Sequence, residues 1–183
     1  MKEIRLHGLG GQGAVIASDI MAIALAQEGK EVASFPSFGA ERRGSPVSAF
    51  VRFDEKPIRE KCLIYTPDCL MILDVSQIKV DTTFAGAKPG CALIVNTYSD
   101  MTGFSRPNID LIGTIDATGI AKEELGRPIV NTCMVGAFAG VTRWVSLESI
   151  IVGLKEVFTG KLLEKNIKVA QRGFNEVLVT KVR

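Results

Sequence analysis

The chain has 183 residues, 46% of them hydrophobic and 23% charged, with a formal net charge of +2. That is enough for one domain with a full core and too little for two comfortable ones. The small net charge argues against a broad nucleic-acid surface, and no apolar run reaches the roughly 18 residues of a membrane span.

The predicted elements begin with a strand over 3–7, the glycine run "HGLGGQG" at 7–13, a helix over 11–28 and a strand over 30–35. Ala14, Ala17, Met21 and Leu25 recur at helical spacing, and small residues such as Ala22 let the helix lie close to a sheet. Gly29 stops it. This is a strand–helix–strand unit whose two strands are expected to be parallel neighbours. The stretch "PSFGAERRGSP" at 36–46 reads as a loop. "VSAFVRF" then alternates, with Val47, Ala49, Val51 and Phe53 on one face and Ser48, Phe50 and Arg52 on the other. Pro46 can open that strand but not sit inside it.

"CLMILDV" at 69–75 and "CALIVNT" at 91–97 suit buried parallel strands, with "IGTIDAT" at 112–118 a weaker third. Helices are expected over 76–85, 119–125, 131–143, 146–158 and 161–179, with Ser146 as an N-cap. There is no internal repeat, low-complexity tract or linker. The reading is one α/β domain over residues 1–183, a Rossmann-like three-layer fold with a mostly parallel sheet between helices. Strand sequence begins at once, without the apolar segment of a signal peptide, so the expected location is the cytoplasm. Cys62, Cys69, Cys91 and Cys133 fit neither a zinc site nor an iron–sulfur run. All four are expected to be small buried residues in a reducing compartment. His7, the single histidine, is expected to end the first strand rather than serve a metal or a triad.

Gly8, Gly10 and Gly13 match G-x-G-x-x-G between a strand and a helix. Such a turn brings backbone N–H groups and a helix amino end to a phosphate; the alternative is a turn that only packs the helix on the sheet. A nicotinamide site would want an acid at the end of the second strand, which reads Val32-Ala33-Ser34-Phe35-Pro36. No Lys-Ser or Lys-Thr follows the glycines, which excludes a P-loop. Arg42 and Arg43, between Gly39 and Gly44, suit phosphate or carboxylate recognition, or form a solvated loop with a local Glu41 pair. The loop should emerge on the same sheet edge as the glycine turn. Asn96 closes the strand "CALIVN". Asn131, in "RPIVNT", is either a helix N-cap or an amide available to a ligand.

Four motifs in order, "GLGGQG", "FGAERRGSPV", "VRFDEKPI" and "LGRPIVNTCMVGAFA", give nearly the whole chain a resemblance to the gamma subunits of 2-oxoacid:ferredoxin oxidoreductases. The "FGAERRGSPV" loop resembles the pyruvate and ketoisovalerate type. The resemblance implies oxidative decarboxylation of a 2-oxo acid to an acyl-CoA with reduction of ferredoxin. It also implies a division of labour. Thiamine diphosphate, its Mg ion and the [4Fe–4S] clusters belong to alpha, beta and often delta partner subunits, and this chain contacts coenzyme A and is inactive alone. Matching positions carry coenzyme A contact to Gly10, Gly11, Gln12, Gly13, Ala14, Asn96 and Asn131, with Arg42 and then Arg43 in a basic loop facing the phosphates. Fused members carry lysines where this chain has Glu41 and arginines. A gamma subunit without its partners is expected to expose apolar surface and to be able to pair with itself. A purely structural subunit, or an independent nucleotide-binding domain, are the alternatives. Neither nucleic acid nor membrane is expected as a partner.

Overall fold

The structure is a computed structural model and describes residues 1–37, 44–99, 101, 104 and 106–182. Its strands are β1 (Lys2–Leu9), β2 (Glu31–Ser37), β3 (Pro46–Asp54), β4 (Cys69–Ile72), β5 (Cys91–Asn96), β6 (Ile109–Ile115) and β7 (Leu178–Lys181). Five α-helices are described: α1 (Ala14–Gln27), α2 (Ala117–Leu125), α3 (Asn131–Thr142), α4 (Leu147–Val157) and α5 (Gly160–Glu176). The strands form one seven-stranded sheet in the order β2-β3-β1-β4-β5-β6-β7. Its centre is parallel, with β1, β4, β5 and β6 side by side, and β2–β3, β3–β1 and β6–β7 pair antiparallel.

The α/β class is as the sequence implied, and five local expectations change. The strands β1 and β2 run parallel but are not neighbours, because β3 enters between them, antiparallel to both. Eight residue pairs, from Lys2 opposite Phe53 to Leu9 opposite Pro46, zip β1 to β3. The first strand therefore runs past His7 to Leu9. The segment 76–85 forms two 3-10 turns, Val75–Lys79 and Asp81–Phe84, instead of an α-helix. The strand placed at 112–118 lies at 109–115, and Asp116 starts α2 as its N-cap. The last helix stops at Glu176, and Leu178–Lys181 pairs with β6 as an edge strand. Leu178, Val179 and Thr180 are β-suited residues, and four residues are too few to show a period of two after a long helical one.

The larger core lies on one face of the sheet. There Ile4, Leu6, Met71 and Ile94 meet α1, α3 and the inner faces of α2, α4 and α5. The helix α3 is buried along almost its whole length. The opposite face is covered thinly: Leu70, Ile72, Leu93 and Val95 pack on Ile78, Phe84, Met101, Phe104 and Val182. Beside that layer, Arg52 is 1% exposed and is paired with Glu3 at 3.0 Å, while Lys88 joins Glu3 and Asp68. Cys69, Cys91 and Cys133 are buried as expected, but Cys62 is exposed. It sits in the polar connection between β3 and β4, next to Lys61, and not in a core segment. No described helix is long and apolar enough to cross a membrane.

Candidate functional site

The connection β1–α1–β2 crosses the sheet on the helical face, whereas β4 reaches β5 across the other face through the 3-10 turns. The two crossovers diverge between β1 and β4, and the gap left at the carboxyl ends of diverging strands is where open α/β sheets bind ligands. The glycine run stands at that point.

Gly8, Gly10, Gln12 and Gly13 each have a geometric task. A side chain at Gly8 would press on Gln12 Oε1 at 3.0 Å and Leu73 Cβ at 3.1 Å. The N–H of Gly10 donates to the Ser45 carbonyl at 2.8 Å, and the Gly10 carbonyl accepts from Gly44 N–H at 3.1 Å. Gln12 closes the turn: its Oε1 accepts from Leu9 N–H and its Nε2 donates to Asp74 Oδ2, both at 2.8 Å. This second bond spans the gap between β1 and β4. Gly13 has φ +81°, a left-handed conformation that glycine adopts without strain. A Cβ there would meet Asn131 Nδ2 at 2.6 Å. The structure thus brings Gly13 and Asn131, 118 positions apart, into contact at the amino ends of α1 and α3.

The helix starts along this edge are finished differently. Asp74 accepts from Ser76 N–H and Asp116 from Gly119 N–H, capping the first 3-10 turn and α2. Asn131 is the first residue of α3 and is not its N-cap; its Oδ1 accepts from Thr132 N–H at 2.9 Å. No side chain caps α1, and no acid stands in its first turn. The N–H groups of Gly11, Gly13, Ala14, Val15 and Ile16 take part in none of the described hydrogen bonds. This is the polar end to which an anion is attracted.

Asn96, the last residue of β5, is 8% exposed. Its Nδ2 donates to the Leu73 carbonyl and to Thr118 Oγ1, each at 2.9 Å, and its Oδ1 accepts from Thr118 N–H. The amide ties the ends of β4 and β5 to the start of α2. Gln12, Asp74, Asn96, Tyr98, Thr118 and Lys122 line a cleft of about 370 Å³ here. Burial would raise the Asp74 carboxyl, but hydrogen bonds from Ser76 and Gln12 outweigh it and hold the group below the usual carboxylate range. His7, farther down β1, receives a hydrogen bond on Nε2 from Arg5 Nε at 3.0 Å. Burial and then the Arg5 charge push it down to about 4, so the imidazole is neutral.

Arg42 and Arg43 lie outside the described residues. The segment that contains them leaves from Ser37 at the end of β2 and returns at Gly44, which is bonded to Gly10. Sequence reasoning missed Asp74, Tyr98, Thr118 and Lys122. Asp74 carried a usable signal as the first charged residue after the apolar run at 69–73; Lys122 carried none.

A model of the pyruvate ferredoxin/flavodoxin oxidoreductase family matches residues 3–176. The chain belongs to this family. The pyruvate/ketoisovalerate oxidoreductases common subunit gamma of Thermococcus kodakarensis is 48% identical over 182 residues, covering 98% of each chain. The crystal structure of pyruvate oxidoreductase subunit PORC from Thermotoga maritima superposes with a TM-score of 0.85 at 34% identity, again over 98% of both chains. Within the family the chain is therefore of the gamma-subunit type, a component of multisubunit oxidoreductases. A 2-oxoglutarate:ferredoxin oxidoreductase from Magnetococcus marinus, with 2-oxoglutarate, coenzyme A and succinyl-CoA bound, shares the fold at a TM-score of 0.75 and 22% identity. It matches 94% of this chain with 30% of its own.

Proposed function

We propose that this chain, as a single domain over residues 1–183, is the coenzyme A-binding gamma subunit of a cytoplasmic thiamine-dependent 2-oxoacid:ferredoxin oxidoreductase. Pyruvate is the first 2-oxo acid to test. The observation that carries the reading is the uncapped amino end of α1, reached through a left-handed Gly13 at the divergence of β1 and β4. Diphosphate oxygens are suited to that end of a helix. Coenzyme A in the structure of the Magnetococcus marinus enzyme supports the choice of ligand. A gamma subunit common to pyruvate and ketoisovalerate enzymes in Thermococcus kodakarensis supports placing the choice of oxo acid in other chains.

The overall reaction converts a 2-oxo acid and coenzyme A to an acyl-CoA and CO₂, and passes two electrons to ferredoxin. Thiamine diphosphate with its Mg ion, and [4Fe–4S] clusters, supply the decarboxylation and the electron path, and the proposal assigns them to alpha, beta and delta partners. The three buried cysteines do not suit a cluster. Burial pushes the Cys91 and Cys133 thiols up to about 12, and Cys69 well above its ordinary range, opposing the thiolate a cluster requires. In this assignment the residues of the chain bind and orient coenzyme A. The turn Gly10–Ala14 takes the diphosphate, Asn131 fixes the turn from behind, and Asn96 holds the cleft open beside it. Arg42, and then Arg43, are the cations that the proposal assigns to the phosphates.

The test is Ile16→Asp in the assembled complex. Ile16 is exposed in the first turn of α1, where an acid favours the helix by about 0.3–1 kcal/mol. A bound diphosphate about 6 Å away would be repelled by about 1–3 kcal/mol at effective dielectric constants between about 80 and 20. The KM for coenzyme A should rise roughly five- to hundredfold, with assembly and thermal stability kept. Arg42→Ala should weaken coenzyme A in the same direction. An unchanged KM and Kd in both variants, with the complex intact, would overturn the reading.

A further inference from the structure

The two edges of the sheet are finished differently. The edge strand β2 carries Pro36, which removes a donor from it. The edge strand β7 contains no proline, and Leu178 is 70% and Val179 50% exposed. Pairing with β6 decides which backbone groups of β7 are engaged. Val182 N–H donates to the Asp110 carbonyl at 2.9 Å, and the register sets Thr180 opposite Ile112 and Leu178 opposite Thr114. Bonded and non-bonded pairs alternate along an antiparallel ladder. Leu178 and Thr180 therefore bond to β6, and the N–H and C=O groups of Val179 and Lys181 point out of the sheet. Outward backbone groups beside exposed apolar side chains are a template for another strand.

A groove of about 420 Å³ runs beside this edge. Leu178 and Thr180 line it, so Val179 and Lys181 lie on the other face of the sheet. Tyr98, Met101 and Ile112 add apolar surface to the groove. Asp116 and Glu176 stand at its Leu178 end, and the described lining includes no Lys or Arg. Behind them Arg172 is shared by Glu123, Glu124 and Glu176 at 2.7, 3.0 and 2.6 Å, and Lys168 pairs with Glu124 at 2.8 Å. With Asp116, four carboxylates meet two cations, so this end of the groove is complementary to a positive charge. A second copy of the chain does not bring one. In a ladder between two β7 strands the outward residues Val179 and Lys181 pair with the same two residues of the other copy. Leu178 and Thr180 then share the groove face, and Lys181 stays on the opposite one.

We infer that β7 is a docking edge for an extended segment of a partner subunit, which adds an eighth strand to the sheet. The segment's residue opposite Thr180 is apolar and enters the groove. Its residue opposite Leu178 is a lysine or arginine, whose stem covers Leu178 and whose charge meets Asp116 and Glu176. The inference uses the gamma-subunit type of the chain and is independent of the coenzyme A reading. It is tested by residue-resolved amide hydrogen exchange on the full chain alone and in the assembled complex. Exchange at Val179 and Lys181 should slow at least tenfold on assembly, while Leu178 and Thr180 are protected in both states. Equal exchange at Val179 and Lys181 in the two states overturns the docking edge. Protection in the chain alone that grows with its concentration assigns the edge to a second copy and overturns the partner. Val179→Pro removes an outward donor and leaves the bonds to β6 in place. It should weaken retention of the chain in the complex about tenfold, read by native mass spectrometry on dilution. Unchanged retention overturns the ladder. Glu176→Gln should weaken retention about threefold at low salt and less at high salt, and no change at either overturns the basic residue.

Discussion

Replacing Gly13 by alanine should destabilise the chain by about 3 kcal/mol, and a second substitution at Asn131 should lower that loss to about 2 kcal/mol instead of adding to it. Gly13 sits at φ +81°, where an L-residue costs roughly 1–2 kcal/mol. The added methyl would also lie 2.6 Å from Asn131 Nδ2 and 2.9 Å from Asn131 Cγ. Forcing a buried asparagine aside costs about 1–3 kcal/mol. The stiffer unfolded chain returns about 0.4–1 kcal/mol. Asn131→Ala alone loses the bond from Thr132 N–H and should cost about 1 kcal/mol. In the double variant the clash is gone and the left-handed strain remains, so the total should be about 2 kcal/mol against about 4 kcal/mol for the singles added. Urea unfolding read by the fluorescence of Trp144, the single tryptophan, measures this. Its ring packs edge-on against Phe53 and Phe138 in the core and reports global unfolding. Additivity within about 0.5 kcal/mol would refute the contact between the turn and α3.

Two further predictions concern parts of the molecule away from the ligand. The imidazole of His7 is pushed down to about 4 from its ordinary 6.5 by burial and by Arg5. Folding therefore favours the neutral form: the contribution is complete above pH 6.5 and is lost as pH falls toward 4, up to roughly 3 kcal/mol. Denaturation midpoints of His7→Gln should lose less than the parent's over that window, and parallel profiles would reject the assignment. In α5, a Cβ at Gly173 would run into the carbonyl oxygen of Cys133 on α3, where backbone meets backbone and nothing can swing away. Gly173→Ala should cost more than about 3 kcal/mol. Gly126→Ala meets open space at φ +70° and should cost about 1 kcal/mol. Similar losses in the two variants would show that the helices can separate freely.

The glycine turn was legible because its neighbours were. An alternating strand before it and an apolar helical period after it leave few places for three glycines except the edge of a sheet. The stop at Gly29 was legible for a similar reason: the N–H groups of Gly29 and Lys30 return to the carbonyls of Ala26 and Leu25, a local arrangement that needs only a left-handed residue at that point. What could not be read was pairing between distant segments. Residues 2–35 describe a strand–helix–strand unit equally well with or without β3 inserted, because nothing local to β1 or β2 specifies a neighbour. Asn96 was recognisable as a strand end, but its partners Leu73 and Thr118 stand 23 and 22 positions away. An amide that looked open to a ligand is engaged in holding three elements together. Lys122 belongs to a short helix of mixed polarity. Its place in the cleft follows only from the parallel register of β5 and β6.

That register also explains how a chain with nearly balanced charge can direct an anion to one place. Parallel strands deliver several helix starts to a single edge, and every start attracts negative charge until something satisfies its N–H groups. Here Asp74 and Asp116 satisfy the first 3-10 turn and α2 with carboxylates, so those positions stabilise the fold and repel a phosphate at the same time. Asn131 serves α3 with a neutral amide and leaves no charge behind. The turn before α1 uses glycine, which brings neither acid nor cap. The electrostatic minimum for an anion therefore falls at α1 by exclusion as much as by attraction. The bond from Gln12 to Asp74 turns that carboxylate toward the turn's own wall, and the ties from Gly10 to Gly44 and Ser45 bring in the end of the arginine-bearing segment. On the proposed reading, the capping chemistry that finishes the fold also selects where a diphosphate would rest.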